Sequence, residues 1–201
     1  MARILLVRHG QSEWNAEGRW QGQADIDLSE LGRAQARAAA SALGSFDLIA
    51  ASTLSRAAET AHIISTALGI GPVIPIPALI ERSAGEWSGL NRREIEEQYP
   101  GYLEAEKRPP GYEDDDALWI RVEVGIREVV DMLGPDDEAL VVAHGGIIYM
   151  LEERADGSRG RIPNLGAVWL EVDQSGSLTI GERVELVTDE SLSSAQASDI
   201  L

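Results

Sequence analysis

The apolar run Ala2-Arg3-Ile4-Leu5-Leu6-Val7 leads directly into the polar stretch Arg8-His9-Gly10-Gln11-Ser12-Glu13-Trp14-Asn15. The apolar run has the length and side chains of a buried strand, so the polar stretch is predicted to be a loop at the carboxyl end of a sheet. Ligands in open α/β sheets bind at that end. Arg8 brings a planar cation that matches phosphate oxygens, and His9 brings a nitrogen nucleophile usable near neutral pH. An Arg-His-Gly triplet alone is weak evidence, and this one gains weight from the strand before it.

The composition limits the partners of the protein. The chain has 201 residues and a formal charge of −17, from 34 acidic and 17 basic residues. The length suits one domain, or one domain with a small insertion, and the charge argues against nucleic acid and anionic membrane surfaces as partners. The negative field would also repel a phosphate ligand. Salt screens that repulsion beyond roughly 8–10 Å, so a local arginine cluster can still bind one.

The sequence lacks cysteine and long apolar stretches, and this limits the possible chemistry and the expected location of the protein. The chain contains no cysteine, which excludes disulfides, thiolate metal sites and a cysteine nucleophile. The amino-terminal apolar run is too short for a signal peptide, and no stretch approaches the roughly 18 apolar residues of a membrane helix. We therefore expect a cytoplasmic protein.

Strand and helix patterns alternate along the chain. Such alternation implies βαβ units, and therefore an α/β fold with a three-layer α/β/α sandwich on a mainly parallel mixed sheet. Pro72, Pro75 and Pro77 limit the third strand to a sheet edge or a strand end. The predicted strands are 2–7, 46–51, 73–76, 139–143 and 168–172, with a final hairpin arm at 178–180 and 183–187. The predicted helices are 30–43 after Ser29 as cap, 56–68 before Gly69, 92–99, a long helix capped by Asp114 or Asp116 and ending at 133, and 147–153.

Residues 80–113 interrupt this alternation. They are rich in glycine and proline and contain one short predicted helix. We expect them to form a cap insertion over the carboxyl end of the sheet, followed by an acidic, solvated helix cap at 113–116. Residues 191–201 are small and polar and predict a mobile tail, which leaves residues 1–190 as the domain.

Two strands, one near each end of the domain, deliver a His-Gly pair to the same edge of the sheet. The pairs are His9-Gly10 and His144-Gly145. Each histidine alone is as compatible with a satisfied core or loop residue, but two on parallel strands suggest a shared site. Arg56, in the first turn of its helix, can face a bound anion with the help of the helix dipole and free N–H groups. The alternative is a surface arginine paired with Glu59 or Glu13.

Glu81 lies where the third strand region ends and the insertion begins. A glutamate beside a phosphate pocket can donate a proton to a leaving alkoxide. Glu86 is the competing candidate from sequence alone. His62 lies well inside a helix and is predicted to be structural.

Further motifs follow in a set order from residue 4 to about residue 172. They are Leu6-Val7-Arg8-His9-Gly10-Gln11-Ser12-Glu13-Trp14-Asn15, Gln21-Gly22, Asp27-Leu28-Ser29-Glu30-Leu31-Gly32 with Gln35-Ala36, Ser52-x-Leu54-x-Arg56-Ala57-x-Glu59-Thr60-Ala61, Glu81 with Gly85, Trp87 and Gly89, and Val142-Ala143-His144-Gly145-Gly146. Together they resemble the histidine phosphatase superfamily, which includes the cofactor-dependent phosphoglycerate mutases and many small phosphatases. Pro110-Gly111-Tyr112-Glu113-Asp114 resembles the family's usual Pro-Gly-Gly-Glu-Ser, with Arg121 in step after it.

The resemblance implies a role for each site residue. It implies that His9 attacks phosphorus and is transiently phosphorylated, without a metal or a cofactor. It also implies that Glu81, by its spacing to Gly85 and Gly89, is the proton donor rather than Glu86. The implied catalytic set is His9, Glu81, Arg8, Arg56 and His144, of which Arg8, Arg56 and His144 hold the phosphoryl oxygens. The implied substrate-binding set is Asn15, Gln21, Gly22, Arg82 and Gly145.

These roles agree with the physics of phosphoryl transfer. Its transition state is loose and carries charge on the equatorial oxygens, so a ring of cationic donors supplies most of the stabilisation. His144 must then be protonated to contribute. This requirement favours a slightly acidic to neutral pH optimum.

Phosphatases and mutases of the family differ in the insertion. Glu81-Arg82 and Gly89-Leu90-Asn91 look like the mutases, but Ala84 stands where the mutases have a tyrosine, and Arg92-Arg93 falls too early for their basic residues. Trp87 matches the phosphatases. The resemblance therefore favours hydrolysis of a small-molecule phosphate ester, such as a phosphosugar or a phosphoglycerate derivative. The alternatives are a phosphoglycerate mutase and, less favoured, a non-catalytic phosphate-binding module.

The chain departs from the family after His144. The family's usual long helix and second connection are compressed into residues 147–162. This compression shortens one wall of the pocket or removes a dimer surface. It leaves open the substrate class and whether the protein forms a homodimer.

Overall fold

The computed structural model describes residues 1–155, 157, 160–173 and 176–188. These residues form one six-stranded sheet flanked by helices. The strands are β1 (Ala2–Arg8), β2 (Leu48–Ala51), β3 (Ile74–Pro75), β4 (Glu138–Ala143), β5 (Gly166–Val172) and β6 (Leu178–Glu185). The α-helices are α1 (Glu13–Ala16), α2 (Glu30–Ala42), α3 (Ser55–Leu68), α4 (Arg92–Gln98), α5 (Asp115–Val130) and α6 (Gly145–Ala155), with short 3-10 helices at Pro77–Leu79 and Gly85–Trp87.

The strands lie in the order β3-β2-β4-β1-β5-β6. The four strands from β3 to β1 pair in parallel, whereas β5 pairs antiparallel with β1 and β6 antiparallel with β5. The predicted mainly parallel mixed sheet is confirmed. The third strand lies at the sheet edge, as its prolines predicted.

Helices cover both faces of the sheet because side chains alternate along each buried strand. Ile4 and Leu6 of β1 belong to the apolar cluster that includes residues of α5 and α6. Leu5 and Val7 belong to the cluster on the other face, with small residues of α2 and α3. This arrangement confirms the three-layer α/β/α sandwich. Ser29 caps α2 by accepting a hydrogen bond from the backbone N–H of Gly32, as predicted.

Three strands bring their ends to one edge of the sheet. Parallel pairing sets Arg8 beside Ala143, and the backbone N–H of His9 donates to the carbonyl of Ala143 at 3.0 Å. Because β5 runs antiparallel to β1, the first residues of β5 lie at this edge too, with Ala167 opposite Val7. The carboxyl edge therefore collects the residues after β1, the residues after β4 and the residues before β5.

Several element boundaries differ from the predictions. β2 begins at Leu48 rather than at 46, and α6 begins at Gly145, directly after His144, rather than at 147. α5 ends at Val130 because the next residues form turns with hydrogen bonds three residues apart, as from the N–H of Leu133 to the carbonyl of Val130. The two predicted pieces of the hairpin arm form the single strand β6, since a register shift in its pairing with β5 absorbs the interruption.

Residues 80–113 have an apolar cluster separate from the two clusters on the sheet. Ala84, Trp87 and Ile95 are buried at its centre, and Trp20 packs against them with its ring centroid 5.0 Å from that of Trp87. This packing supports a cap, and the division of the chain into a domain of residues 1–190 with a cap at 80–113 stays a proposal. The predicted tail at 191–201 lies outside the described residues.

Among the described residues, no helix has the length and apolarity needed to cross a membrane.

Candidate active site

A cavity of about 970 Å³ opens at the carboxyl edge of the sheet. Of the ten residues predicted for the site, nine lie in the cavity wall and His144 is buried outside it. His9 and Arg56 are almost completely buried, with exposed fractions of 3% and 1%. We call Arg8, His9, Arg56 and His144 the floor of the site. The nine wall residues are Arg8, His9, Asn15, Gln21, Gly22, Arg56, Glu81, Arg82 and Gly145.

His9 is held through one of its two ring nitrogens. Its Nδ1 lies 2.6 Å from the carbonyl oxygen of Gly10, which makes Nδ1 the donor and leaves the lone pair on Nε2. Burial, together with the charges of Arg56 and Arg8, holds the pKa of His9 well below its ordinary value. The imidazole is therefore neutral near pH 7. Arg56 donates from its Nε to Nε2 of His9 at 3.2 Å.

The guanidinium groups of the floor are fixed by backbone carbonyls. Arg56 extends from the first turn of α3 and donates to the carbonyls of Ala24 at 2.8 Å and Gly22 at 2.9 Å. Arg8 donates from Nη1 to the carbonyl of Ile162 at 2.7 Å. Carbonyl partners orient the two guanidinium groups without neutralising their charge.

Neither of these two arginines is hydrogen-bonded to a carboxylate within the part of the chain that the structure describes. Burial lowers the pKa of Arg56 to about 10, so the group stays charged at neutral pH. The alternative of a surface Arg56 paired with Glu59 is wrong, because Glu59 accepts from Arg33 at 2.6 Å. The floor therefore holds two positive charges with no direct negative partner among the described residues.

His144 is completely buried beside His9, with the ring centroids 5.2 Å apart. Its Nε2 lies 2.7 Å from Oγ of Ser52, whereas Nδ1 is buried without a hydrogen-bond partner among the described residues. Burial and the charge of Arg56 hold the pKa of His144 well below its ordinary value. In the ligand-free site the imidazole of His144 is therefore neutral near neutral pH, and the protonated form that phosphoryl transfer requires stays a prediction for the phosphate-bound site.

The loop after β1 supplies the next part of the wall. Ser12 caps α1 and donates from Oγ to Oε1 of Gln21 at 2.8 Å. Oδ1 of Asn15 accepts from the N–H of Ser12 and from Nδ2 of Asn164, each at 3.3 Å. Since both bonds use the amide oxygen, the NH₂ group of Asn15 is the part of this side chain left to meet a ligand.

Glu81 is the carboxyl group held at the cavity wall. Its Oε1 accepts from the N–H of Arg82 at 2.7 Å, and its Oε2 accepts from the N–H of Gly146 at 3.1 Å. A Cβ at position 146 would stand 2.3 Å from Oε1, so the glycine makes room for the carboxylate. Glu86 lies outside the cavity wall, and its Oε2 accepts from the hydroxyl of Tyr99 at 2.5 Å. The geometry favours Glu81 over Glu86 as a proton donor.

The opposite side of the cavity is more exposed. Arg82 pairs with Asp115 at 2.5 Å and lies over the ring of Tyr112, so its charge already has a partner. Arg108 is exposed and stacks on Tyr112, with 5.3 Å between its Cζ and the ring centroid. We call Arg82, Arg108, Tyr112, Asp114 and Asp115 the cap side of the cavity; all five lie in its wall.

Glu113 differs from the prediction that residues 113–116 form an acidic, solvated helix cap. Its side chain is 15% exposed and accepts two hydrogen bonds from Arg121, both at 2.7 Å. Arg121 also donates to the carbonyls of Ala78, Ile80 and Glu81. Glu113 is therefore not solvated, because an arginine within α5 reaches back to it. Asp114 alone fills the predicted capping role, accepting from the N–H of Ala117 at 2.8 Å.

Sequence reasoning missed several residues near the site. Arg108, Tyr112, Tyr149 and Arg161 line the cavity but were not assigned to it. Tyr112 lies in the stretch that resembles a family motif, whereas the other three showed only a polar or charged side chain, which many surface residues share. Asn164 was missed as well, although a polar residue just before a strand that runs antiparallel to β1 must lie at the same edge.

The charge of the cavity differs from that of the whole chain. In the part of the chain that the structure describes, six arginines and five acidic residues line the cavity, whereas the whole chain carries twice as many acidic as basic residues. Among the described residues, no group of three or more His, Asp or Glu side chains is placed to hold a metal ion. The lining arginines are Arg8, Arg19, Arg56, Arg82, Arg108 and Arg161, and the acids are Glu81, Glu106, Asp114, Asp115 and Glu153.

The family follows from a comparison with known proteins. Residues 4–177 match the family model described as histidine phosphatase superfamily (branch 1). This chain therefore belongs to the histidine phosphatase superfamily.

The individual relatives include both phosphatases and mutases. The glucosyl-3-phosphoglycerate phosphatase of Mycolicibacterium vanbaalenii is 37% identical over 169 residues, which cover 74% of this chain and 72% of that protein. The 2,3-bisphosphoglycerate-dependent phosphoglycerate mutase 2 of Gloeobacter violaceus is 37% identical over 159 residues, 74% of this chain and 73% of that protein. A solved mycobacterial glucosyl-3-phosphoglycerate phosphatase, in complex with VO3, has a TM-score of 0.79 and 32% identity, covering 89% of this chain and 96% of that one.

Proposed function

We propose that this protein is a phosphomonoesterase that passes the phosphoryl group of a small phosphate ester to Nε2 of His9 and then to water. The floor of the site carries the proposal. Two guanidinium groups without a carboxylate partner among the described residues stand beside a neutral imidazole whose lone pair is on Nε2. A phosphoryl group provides both the negative charge that pairs with the two guanidinium groups and the electrophilic phosphorus that Nε2 of His9 can attack.

The first step forms a phosphohistidine. The oxygens of the ester take the N–H donors of Arg8 and Arg56, so that Arg56 no longer occupies the lone pair of His9. The Nε2–P bond then forms as the bond from phosphorus to the leaving oxygen breaks. Glu81, in its protonated form, gives its proton to that oxygen. Negative charge on the bound group favours protonation of His144, whose Nδ1 has no hydrogen-bond partner among the described residues.

The second step returns the enzyme to its starting state. Glu81, now a carboxylate, takes a proton from a water molecule as the water oxygen bonds to phosphorus. The P–Nε2 bond breaks, its electron pair returns to His9, and inorganic phosphate is released. Both steps place charge on the same phosphoryl oxygens, which the floor is built to hold.

The cap side bears on the substrate class. Arg108 can reach a second polar or anionic part of a substrate, while Glu106, Asp114 and Asp115 disfavour a large polyanion. The glucosyl-3-phosphoglycerate phosphatase relatives support a phosphosugar or phosphoglycerate-type ester as substrate. A cytoplasmic location, a homodimer and the exclusion of nucleic acid stay predictions from the sequence.

A phosphoglycerate mutase is the second candidate. One observation supports it, because the Gloeobacter violaceus mutase is as identical to this chain as the Mycolicibacterium vanbaalenii phosphatase is, at 37% each. A mutase would need a bisphosphorylated primer and would keep its phosphoryl group long enough to return it to a second substrate. Primer dependence and the lifetime of the phosphoenzyme therefore separate the two activities.

The test is release of phosphate from a generic aryl phosphate between about pH 5 and 8. We expect turnover by the wild type and a loss of about 10³-fold or more in His9→Ala, because the variant lacks the nucleophile. His62→Ala, which removes an exposed histidine on α3, is the matched control and should retain activity. Activity that survives in His9→Ala would overturn the proposal. A folded wild type that acts only with primer would establish the mutase.

A further inference from the structure

We propose that Asn164 is a positioning residue that turns the amide of Asn15 so that its NH₂ group faces the phosphoryl group. The inference rests on the proposed function, since it concerns the same site. Asn164 is half-buried just before β5 and does not belong to the cavity wall. Any effect that it has on catalysis must therefore pass through its neighbours.

Asn164 contacts two of these neighbours with one nitrogen. Its Nδ2 donates to the backbone carbonyl of His9 at 3.0 Å and to Oδ1 of Asn15 at 3.3 Å. The N–H of Ser12 donates to the same Oδ1 at 3.3 Å. If the Asn15 amide were rotated by 180°, its NH₂ group would oppose two N–H donors and lose both bonds. The two donors thus select one of the two orientations of this amide.

The selected orientation suits an anion. Because Oδ1 of Asn15 already accepts two hydrogen bonds, its NH₂ group is free to donate to a phosphoryl oxygen. The rotated amide would instead present its oxygen to the phosphoryl oxygens, which repels them. A residue outside the cavity therefore decides whether Asn15 attracts or repels the substrate.

The segment that carries Asn164 is bound firmly to the floor. The N–H of Leu165 donates to the carbonyl of Arg8 at 3.0 Å, and the carbonyl of Ile162 accepts from the Arg8 side chain at 2.7 Å. Leu165 has a φ of +57°, a left-handed conformation that a leucine adopts only where its surroundings hold it. Residues 162–165 are thus a rigid support on which Asn164 is carried.

The first experiment compares Asn164→Asp with the wild type in aryl phosphate hydrolysis. The carboxylate replaces a donor with an acceptor, so one of the two bonds that hold Oδ1 of Asn15 is lost and the rotated amide gains an acceptor for its NH₂ group. We expect kcat/KM to fall by about 10- to 100-fold, the range typical of partners that orient a functional residue. Asn164→Ala removes the donor but offers no acceptor to a rotated Asn15 amide. Its kcat/KM should therefore fall less than that of Asn164→Asp.

Asn91→Asp is the matched control. Asn91 caps α4 outside the cavity wall, and aspartate serves equally well at a helix N-cap. The control adds the same negative charge to the chain and should keep wild-type activity. Thermal unfolding of each variant checks the fold, and Asn164→Ser replaces Asn164→Asp if that variant does not fold.

A double-mutant cycle separates orientation of Asn15 from general support of the loop. In an Asn15→Ala background there is no amide to turn, so Asn164→Asp should cost less than about 3-fold. If the fold-losses of kcat/KM in the two single variants multiply in the double variant, the proposal is wrong. Wild-type activity in Asn164→Asp would overturn it as well. Affinity for inorganic phosphate, measured by calorimetry, gives the same comparison without turnover. A wild type that binds phosphate but hydrolyses nothing would overturn the proposed function alone.

Discussion

The floor and the cap side of the cavity are built in opposite ways. On the floor, His9 and Arg56 are almost completely buried, and backbone carbonyls or other buried groups fix their polar atoms. On the cap side, Arg108 and Asp115 are exposed, and Arg108 lies over the rings of Trp87 and Tyr112 and donates to the carbonyl of Lys107. The floor comes from the ends of buried strands and the start of α3, whereas the cap side comes from loops and the exposed start of α5.

This difference teaches which part of a substrate each region can recognise. Rigid, buried donors suit one invariant chemical group, and here two positive charges suit a phosphoryl group. Exposed side chains on loops suit the part of a substrate that varies between relatives. From the difference between the floor and the cap side we make three predictions, ordered from the largest expected effect to the smallest.

Arg56→Ala should be the most damaging of these changes. It removes a buried charge that meets Nε2 of His9 and leaves the carbonyls of Gly22 and Ala24 without their donor. We expect kcat on an aryl phosphate to fall by about 10²- to 10³-fold, the loss typical of a donor that stabilises transition-state charge. Steady-state kinetics measures the loss.

Two further variants define the cause of that loss. Arg56→Lys keeps the charge but not the planar group, and it should fall between the wild type and Arg56→Ala. Arg33→Ala removes a surface arginine that pairs with Glu59 and should leave kcat nearly unchanged. A kcat for Arg56→Ala close to that of Arg33→Ala would show that the buried arginine of the floor contributes no more to catalysis than a surface arginine does.

Arg108→Ala should act only on substrates that reach the cap side. We expect KM for a phosphoglycerate-type ester to rise by about 10-fold, since a hydrogen bond to a charged group is lost, while KM for an aryl phosphate changes by less than about 2-fold. Kinetics on both substrates tests this split. Arg93→Ala, an exposed arginine of α4 outside the cavity wall, is the matched control. Equal effects of Arg108→Ala on both substrates would contradict a specificity role.

The histidines of the floor predict a modest pH dependence of stability. The pKa values of His9 and His144 are held well below the ordinary value by burial, so the unfolded chain takes up protons near pH 6.5 before the folded chain does. Stability should be fully present above about pH 6.5 and fall as the pH drops below it. The limiting slope is about 1.4 kcal/mol per pH unit for each histidine.

Urea unfolding between pH 7.5 and 5.5 measures this slope. His144→Gln removes one of the two groups and should flatten it by up to half. His62→Gln replaces an exposed histidine and should leave the slope as in the wild type. A slope that is the same in all three proteins would show that the floor histidines are not the groups responsible.

The sequence predicted most of the fold because its signals are local. Continuous apolar runs mark β1 and β4, Ser29 begins α2, and Gly69 ends α3. The boundaries that moved, at β2, α5 and β6, depend on pairing and turns rather than on composition. Nine of the ten predicted site residues reached one cavity because parallel strands carry their motifs to one edge.

A prediction that failed and a residue that was missed both depend on tertiary contacts. Arg121 follows Glu113 by eight residues, and only the packing at the start of α5 turns its side chain back onto that carboxylate and buries it. Asn164 meets the backbone of His9 from 155 residues away, and only the antiparallel entry of β5 brings it there. The charge state of His144 in the ligand-free site likewise depends on burial, which lowers its pKa and is a property of the assembled core.

By itself, the sequence determined the kinds of elements, their order and the residue types available for phosphoryl chemistry, since period, caps and strand ends are encoded by neighbouring residues. Only the tertiary structure decided which of those residues meet, which charges remain without a partner and which nitrogen of His9 carries the lone pair. These properties depend on burial and on hydrogen bonds, and both arise from groups that the chain brings together only when it is folded.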